Sequence, residues 1–493
     1  MDYTILFDRK DPISIETFAR QLEGKTFQQV FDDADKNVLD DKANRGKIGQ
    51  LIERYYFHYE CNNDSNPDFI EAGVELKVTP YKVNKNGTIS AKERLVLTKI
   101  NYDQIVNETF ETSHLWHKSK LLLLIYYLYI RGAASRFDYE IKHSRLFTPP
   151  EKDVLVIKKD FEIIAEKVRN GLAHKLSERD TMYLSACTKG AKKTDRTTQP
   201  FCDIPAKPRA FSYKTSYMTY ILNKYIIPDR NTYIPFTSLT ELKHDNIEEI
   251  IQNKLSYYIG MYVSELVEMF GIELNENNKG NVAILVSNML GVKSTRIEEF
   301  AKAGIVIRTL TYRKFKILNQ QFRLEDFKFQ DLDIELFDDE VLDVETLEPI
   351  GWEYSELYDY ISNRKYLIAV FWEEKDGTVF KGCQLWSMPE KDIEVVHSAW
   401  NELKSIVRKG VRLEKRGHRV TNNLPGIKHN KVFHVRNHSN KTFYVFSDGS
   451  TWGNGSLANA DKLPDGRYMT KQAYWLNRSY IDSQLDSSLR RRY

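Results

Sequence analysis

Residues 67–80 read Pro-Asp-Phe-Ile-Glu-Ala-Gly-Val-Glu-Leu-Lys-Val-Thr-Pro. Val74, Leu76 and Val78 alternate with Glu75, Lys77 and Thr79, the period of two expected of a strand with one face in the core. A strand is therefore predicted over 69–80, with Glu75 and Lys77 on one face. Asp68 stands near its start and can converge on the same point if the chain bends, which Gly73 permits. Two carboxylates so placed can hold a hard divalent cation through oxygen, and the backbone carbonyl of Leu76 can add a ligand. The cation polarises a phosphate and lowers the pKa of bound water, while a neighbouring lysine orients the nucleophile or steadies developing charge. The pattern points to phosphodiester hydrolysis with Mg2+; the alternative is a surface strand laced by a salt bridge.

Upstream, Lys47–His58 (KIGQLIERYYFH) has Ile48, Leu51, Ile52 and Tyr55 at helical spacing. Glu53 lies beside that stripe. With the helix packed on the strand, Glu53 can reach the metal or its water shell; otherwise it is an exposed helix glutamate. Downstream, His114 and His117 flank Trp116. HxxH invites a metal reading, but partly buried structural histidines are the simpler expectation.

An internal repeat runs through the chain. Leu146–Gly171 (LFTPPEKDVLVIKKDFEIIAEKVRNG) aligns without a gap on Leu385–Gly410 (LWSMPEKDIEVVHSAWNELKSIVRKG), each a turn followed by an amphipathic helix. Arg45–Ile48 echoes Lys279–Val282, Asp68–Lys77 echoes Glu299–Arg308, and Tyr213–Tyr217 echoes Thr470–Tyr474. The second copy has Glu299 at the Asp68 position, Val306 at Glu75, Arg308 at Lys77 and Ser287 at Glu53. Its core alternation survives in Ile305 and Ile307, but a valine binds no magnesium. The expected organisation is a catalytic domain at 1–228, a linker at 229–245 and a degenerate copy at 246–493 kept for DNA binding or architecture.

The fold class expected is mixed α/β, a central mixed sheet flanked by helices in each of two tandem domains. Helices are predicted at about 14–34, 47–59, 119–130, 151–170 and 214–226, and strands at 69–80 and 93–101. Second-half elements are predicted at 246–270, 280–290, 302–312, 366–372, 391–409 and 471–487.

Of the 493 residues, 41% are hydrophobic and 29% charged, so each half can bury a core. No apolar run approaches the ~20 residues of a membrane span; the longest, Leu121–Tyr129, reads as a buried element. The N-terminus carries no signal-peptide pattern, so the expected location is cytoplasmic. Four scattered cysteines support neither a zinc site nor a disulfide framework. A net charge of +3 leaves the partner to local clusters: 189–196 (KGAKKTDR), 308–316 (RTLTYRKFK), 412–419 (RLEKRGHR) and Arg490–Arg492. The acidic run Glu325–Glu348 lacks the ligand spacing of an EF-hand and reads as a solvated loop.

Together, RGKIGQLIE (45–53), PDFIEAGVELKVTP (67–80), FETSHLWHKSK (110–120) and RAFSYKTSYMT (209–219) resemble the MutH/Sau-type branch of the PD-(D/E)xK nucleases, which acts at GATC. The two-copy layout is similar to the larger restriction enzymes of that group. The resemblance implies a restriction-endonuclease-like fold, Asp68 and Glu75 as magnesium ligands, Lys77 as the catalytic lysine, Glu53 completing the acidic set and Lys118 as a further active-site lysine. Arg45 takes the place of an upstream active-site lysine, keeping charge but not geometry. Lys189 and its neighbours Lys192 and Lys193 match a base-reading loop, and Lys214 a segment approaching DNA. Arg308 and Lys471 are their candidates in the second copy. The partner expected is double-stranded DNA, with room for a dimer on it and no membrane. The leading reading is a type II restriction endonuclease cutting at GATC, its second half binding a further site as effector or gripping the same DNA. The alternatives are a strand-nicking mismatch-repair endonuclease and a DNA-binding protein that does not cleave.

Overall fold

A computed structural model describes residues 7–31, 48–59, 66–84, 86–130, 133, 135–189, 194–227, 232–273, 281–314, 316–317, 322–327, 352 and 355–490. The chain forms two compact units. The first gathers the chain to Ile251 together with Ser294–Ile305, and the second holds the rest of the described residues. Among the described residues no helix is long and apolar enough to cross a membrane.

The first unit is built on a mixed sheet. Strand β1 (Glu75–Val83) pairs antiparallel with β2 (Ile89–Ala91). Strand β3 (Leu95–Lys99) belongs to another sheet. On its other side β1 runs parallel to β4 (Leu122–Leu128), with Glu75 opposite Leu122 and Lys77 opposite Leu124. Strand β4 pairs antiparallel with β5 (Ile141–Phe147). The second sheet places β9 (Arg209–Tyr213) between β3 and β6 (Leu184–Thr188); β7 (Thr197–Gln199) and β8 (Cys202–Ala206) form a separate hairpin. Helix Glu151–Arg169 follows β5. Pro150 sits at its N-cap, Glu151 and Asp153 meet the positive end of its dipole, and Lys167 and Arg169 the negative end.

The second unit repeats this plan. Strands β10 (Ile305–Arg313), β11 (Lys316–Ile317), β13 (Lys365–Glu373) and β14 (Thr378–Trp386) lie in the order β11-β10-β13-β14, matching β2-β1-β4-β5. Strand β12 (Phe322–Phe327), β17 (Phe433–Asn437) and β22 (Gln472–Leu476) lie in the order β12-β22-β17, matching β3-β9-β6. Helix Glu390–Lys409 takes the place of Glu151–Arg169. Between β17 and β22, where the first unit has the β7–β8 hairpin, the second has a larger sheet of β18 (Tyr444–Val445), β19 (Thr451–Trp452), β20 (Ala460–Lys462) and β21 (Tyr468–Thr470); among the described residues the ribbon of β15 (Leu413–Arg416) with β16 (Arg419–Asn422) has no counterpart in the first unit.

Several elements differ from the periodicity reading. The predicted helix 119–130 is β4. Its residues Leu122–Tyr127 are all buried, and a strand covered on both faces reads as a continuous apolar run that period alone cannot assign. The predicted helix 14–34 is broken into Pro12–Ala19, the short turn Arg20–Leu22 and Phe27–Val30, with Gly24 at φ 85° between them. The span 246–270 is two helices, Ile247–Ser256 and Val263–Phe270, separated around Gly260 at φ 94°. The span 471–487 is strand β22 followed by helix Arg478–Gln484. The strand predicted from 69 starts only at Glu75. Of the acidic run, 325–327 lie in β12 and 328–348 fall outside the described residues.

The contacts also draw the unit boundary differently from the repeat. Residues 232–251 and the segment 294–305 pack with the first unit. In that segment Lys302 is 2% exposed, its ammonium 2.6 Å from Asp153 Oδ1 and 2.7 Å from Glu298 Oε1. Ser216 Oγ donates to the Lys302 carbonyl.

Candidate active site

The turn before β1 sets the geometry. Phe69 and Val74 exchange backbone hydrogen bonds of 2.9 and 3.2 Å, closing a tight loop over Ile70–Gly73. Gly73 has φ 66°, a conformation that a side chain would strain. Asp68 therefore comes from the loop rather than the strand, and returns over the strand's first residues: Leu76 N–H donates to Asp68 Oδ2 at 2.7 Å. That bond fixes one oxygen of a half-buried carboxylate.

Glu75 is 2% exposed. Its Oε1 receives Lys77 Nζ at 2.7 Å, with Lys118 Nζ at 3.3 Å. Its Oε2 is buried and has no hydrogen-bond partner among the described residues. Burial raises the Glu75 pKa; Lys77 pulls it down, the nearby Asp68 charge pushes it up again, and Lys118 lowers it further. The Asp68 carboxylate, held by the N–H of the residue after Glu75, is near enough to act on it electrostatically. A buried acceptor without a donor is costly to leave in that state. A cation on Oε2 relieves both that deficit and the repulsion, so this donor set suits a hard divalent ion bound through oxygen.

Lys118 reaches the site from helix His114–Ser119, capped by Ser113, whose Oγ accepts from Trp116 N. His117 Nε2 lies 3.4 Å from Asn66 Oδ1, joining this helix to the segment before Asp68. Nothing in the sequence around Asn66 announces this contact. His114 pairs with Glu108. HxxH is thus two separate side-chain contacts, and His117 is exposed rather than partly buried.

Glu53 lies on the π-helical turn Ile52–Tyr56, half-buried, on a helix whose Ile48, Leu51 and Ile52 share a core with Val74 and Leu76. Among the described residues no three carboxylate, imidazole or thiol groups gather around one point.

The expected DNA contacts divide. Lys189 is exposed at the end of β6, with its N–H on the Pro208 carbonyl. Lys192, Lys193 and Arg45 lie outside the described residues. Lys214 departs from expectation. It is 3% exposed, its ammonium donates to the Thr181 carbonyl, and it lies within electrostatic reach of Asp160. The turn from β9 into helix Thr215–Ile221 drives it inward.

Lys471 is not its counterpart either. With β9 set on β22, Lys214 matches Asn477, the N-cap of helix Arg478–Gln484, and Tyr217 matches Tyr480. Tyr217 donates to Asp153 at 3.0 Å and Tyr480 to Asp392 at 2.8 Å, each the aspartate of a Pro-Glu-Lys-Asp sequence. Lys471 and Arg308 are both half-buried, and the Arg308 guanidinium lies 5.8 Å from the Tyr366 ring. At the Asp68 position, Glu299 is 3% exposed and accepts from Phe236 N–H at 3.0 Å and Thr237 Oγ1 at 2.9 Å.

A mixed sheet with Asp, Glu and Lys converging at the start of an inner strand defines the class: a nuclease of restriction-endonuclease-like fold. Comparison with known proteins agrees. The family described as "DNA mismatch repair enzyme MutH" matches residues 57–160. The type II restriction enzyme Sau3AI of Staphylococcus aureus is 36% identical over 488 residues, covering 91% of this chain and 94% of that protein. MutH proteins of Shewanella woodyi and Shewanella sp. (strain MR-7) are 29% and 28% identical, each over 37% of this chain and 78% and 81% of their own lengths. The chain belongs to the MutH/Sau-type family of restriction endonucleases, and it is an enzyme.

Proposed function

We propose that the chain is a type II restriction endonuclease that hydrolyses both strands of duplex DNA at GATC with Mg2+, its second unit binding a further copy of the site as effector. The observation carrying the reading is the Glu75 carboxylate: one oxygen is held by two lysines, while the other is buried, beside Asp68 and without a donor among the described residues. When bound, the metal supplies polarisation of the scissile phosphate and acidification of water. Asp68 and Glu75 would hold it, with the Leu76 carbonyl as a further candidate and Glu53 at the metal or its water shell. Asp68 is pre-oriented by Leu76 N–H, so little reorganisation is needed on binding. An ammonium has three donors. Lys77 spends one on Glu75 and can offer another to the attacking water or a phosphate oxygen. Lys118 adds a second positive charge where negative charge builds in the transition state.

The extent of the relatives favours this reading over strand nicking, because the MutH proteins match 37% of the chain and the restriction enzyme matches both units. Digestion of supercoiled plasmid with Mg2+, methylated and unmethylated at GATC, followed by end sequencing, tests it. Linear DNA with ends at GATC is expected. Nicked circles would favour the repair-type activity, and binding without cleavage the regulator. Full activity in Asp68→Ala would overturn the site.

A further inference from the structure

The basic sequence 412–419 takes no part in the site above, yet it has a definite form. Leu413–Arg416 and Arg419–Asn422 pair antiparallel as a two-stranded ribbon, with Arg416 opposite Arg419 and Gly417-His418 at the tip. Gly417 has φ 57°. The alternation of the strands gives the ribbon two unlike faces. Leu413 and Val420 pack on the core of the second unit, and Lys415 joins them, its ammonium 4.4 Å from the centre of the Phe446 ring and 3.2 Å from Ser450 Oγ. The other face presents Glu414, Arg416, Arg419 and Thr421, all exposed.

Two features separate this ribbon from an ordinary solvated hairpin. First, its charge is one-sided. Residues 412–419 hold four Lys or Arg, one histidine and one carboxylate. Glu414 is taken by Arg416 at 2.8 Å, while Arg412 and Arg419 have no ion pair among the described residues. Second, it is particular to this unit. In the first unit the chain from helix Glu151–Arg169 to β6 contains one short turn, Ala173–Lys175, and no strand. The unit that lost the Glu75 carboxylate thus carries a basic projection that the other lacks.

We propose that the outward face of this ribbon, through Arg416 and Arg419, grips duplex DNA bound by the second unit. This rests on the nuclease reading above and adds the element that makes the contact. A two-stranded ribbon fits the major groove, about 12 Å wide, and four-residue arms span about 13 Å. Guanidinium groups on neighbouring strands match phosphate oxygens and base edges in a bidentate way that ammonium groups do not.

The test is equilibrium binding of the full-length chain, in EDTA to prevent cutting, to a GATC-bearing duplex and to one without the site, across a salt series. The double variant Arg416→Ala/Arg419→Ala should bind about tenfold more weakly, with the log–log salt slope reduced by about 1 to 2. Glu414→Gln, which frees Arg416 from its carboxylate, should tighten binding about two- to threefold. An unchanged thermal melt of the double variant would show that losing the two guanidinium groups leaves the unit folded. Equal loss on both duplexes assigns phosphate contacts, and loss confined to the GATC duplex assigns base readout. Unchanged affinity and slope in the double variant, while the parent binds duplex and cuts plasmid, would overturn the ribbon's role and leave the nuclease reading intact. A parent chain that neither binds nor cuts duplex would overturn both.

Discussion

Glu75 carries two opposing demands. The proposed function needs it ionised to hold a cation, whereas its burial and the neighbouring Asp68 favour the proton. A carboxyl whose folded pKa lies above its unfolded value binds more protons folded than unfolded. Its contribution therefore becomes unfavourable as pH rises from the ordinary value near 4.5 through the raised one. Metal-free protein should accordingly lose stability over that rise, and Glu75→Gln should flatten the loss. The same substitution should cut DNA cleavage at least about a hundredfold, the scale of a lost charge stabiliser, while melting no lower than wild type at neutral pH in EDTA. Magnesium at about a hundred times its dissociation constant should stabilise the wild type by about 2.7 kcal/mol and Glu75→Gln by much less. A melt series with and without the ion reads all of this. Lys77→Ala should likewise lose at least about a hundredfold in single-turnover cleavage while binding DNA as before. Reduced binding in parallel with cleavage would make Lys77 a binding group instead.

At the scale of elements, the repeat preserved folds and reassigned side chains. The aspartate of Pro-Glu-Lys-Asp takes a tyrosine hydroxyl in both units, and in the first it also takes the buried Lys302 ammonium. Burial opposes the Lys302 charge, but Asp153 and Glu298 overrule it and hold its pKa above the ordinary lysine value. Removing one partner of such a pair strands the other in the interior. Lys302→Met should cost about 3 to 5 kcal/mol, measured by urea unfolding of the full chain. A cost under about 1 kcal/mol would mean that water reaches Asp153 and the pair is dispensable. The tyrosine also shows how far the echo could be read. Sequence similarity set Tyr217 on Tyr474, six positions from Tyr480, because Lys-x-x-Tyr outweighed the strand-to-helix turn that the backbone conserves.

For the whole molecule, a second unit with the same strand order but without a carboxylate at the Glu75 position leaves binding as its role in the proposed function. If it acts as an effector site, a GATC duplex added in trans should accelerate cleavage of a one-site plasmid by about fivefold or more, the low end of common coupling strengths. A duplex lacking GATC should not. No acceleration, with two-site and one-site plasmids cut alike, would reduce the second unit to a grip on the same DNA.

Local chemistry made the core of the site readable: Glu75 and Lys77 share a face because a strand alternates, and Asp68 stands before a glycine that can turn the chain. The gap-free helix repeat likewise announced duplication, since amphipathic spacing survives when ligands do not. Other features depend on contacts between residues remote in the chain. The apolar run 121–129 is a strand because sheet and helices cover both its faces, which periodicity cannot report. Lys214 is buried because a turn aims it at Thr181, and Asn66 meets His117, 51 residues away. The segment 294–305 meets the first unit through the buried Lys302 ammonium on Asp153 and the Glu299 carboxylate on Phe236 and Thr237. Sequence fixes what a residue can do and which neighbours share its element; burial and partnership across elements are settled when the chain packs.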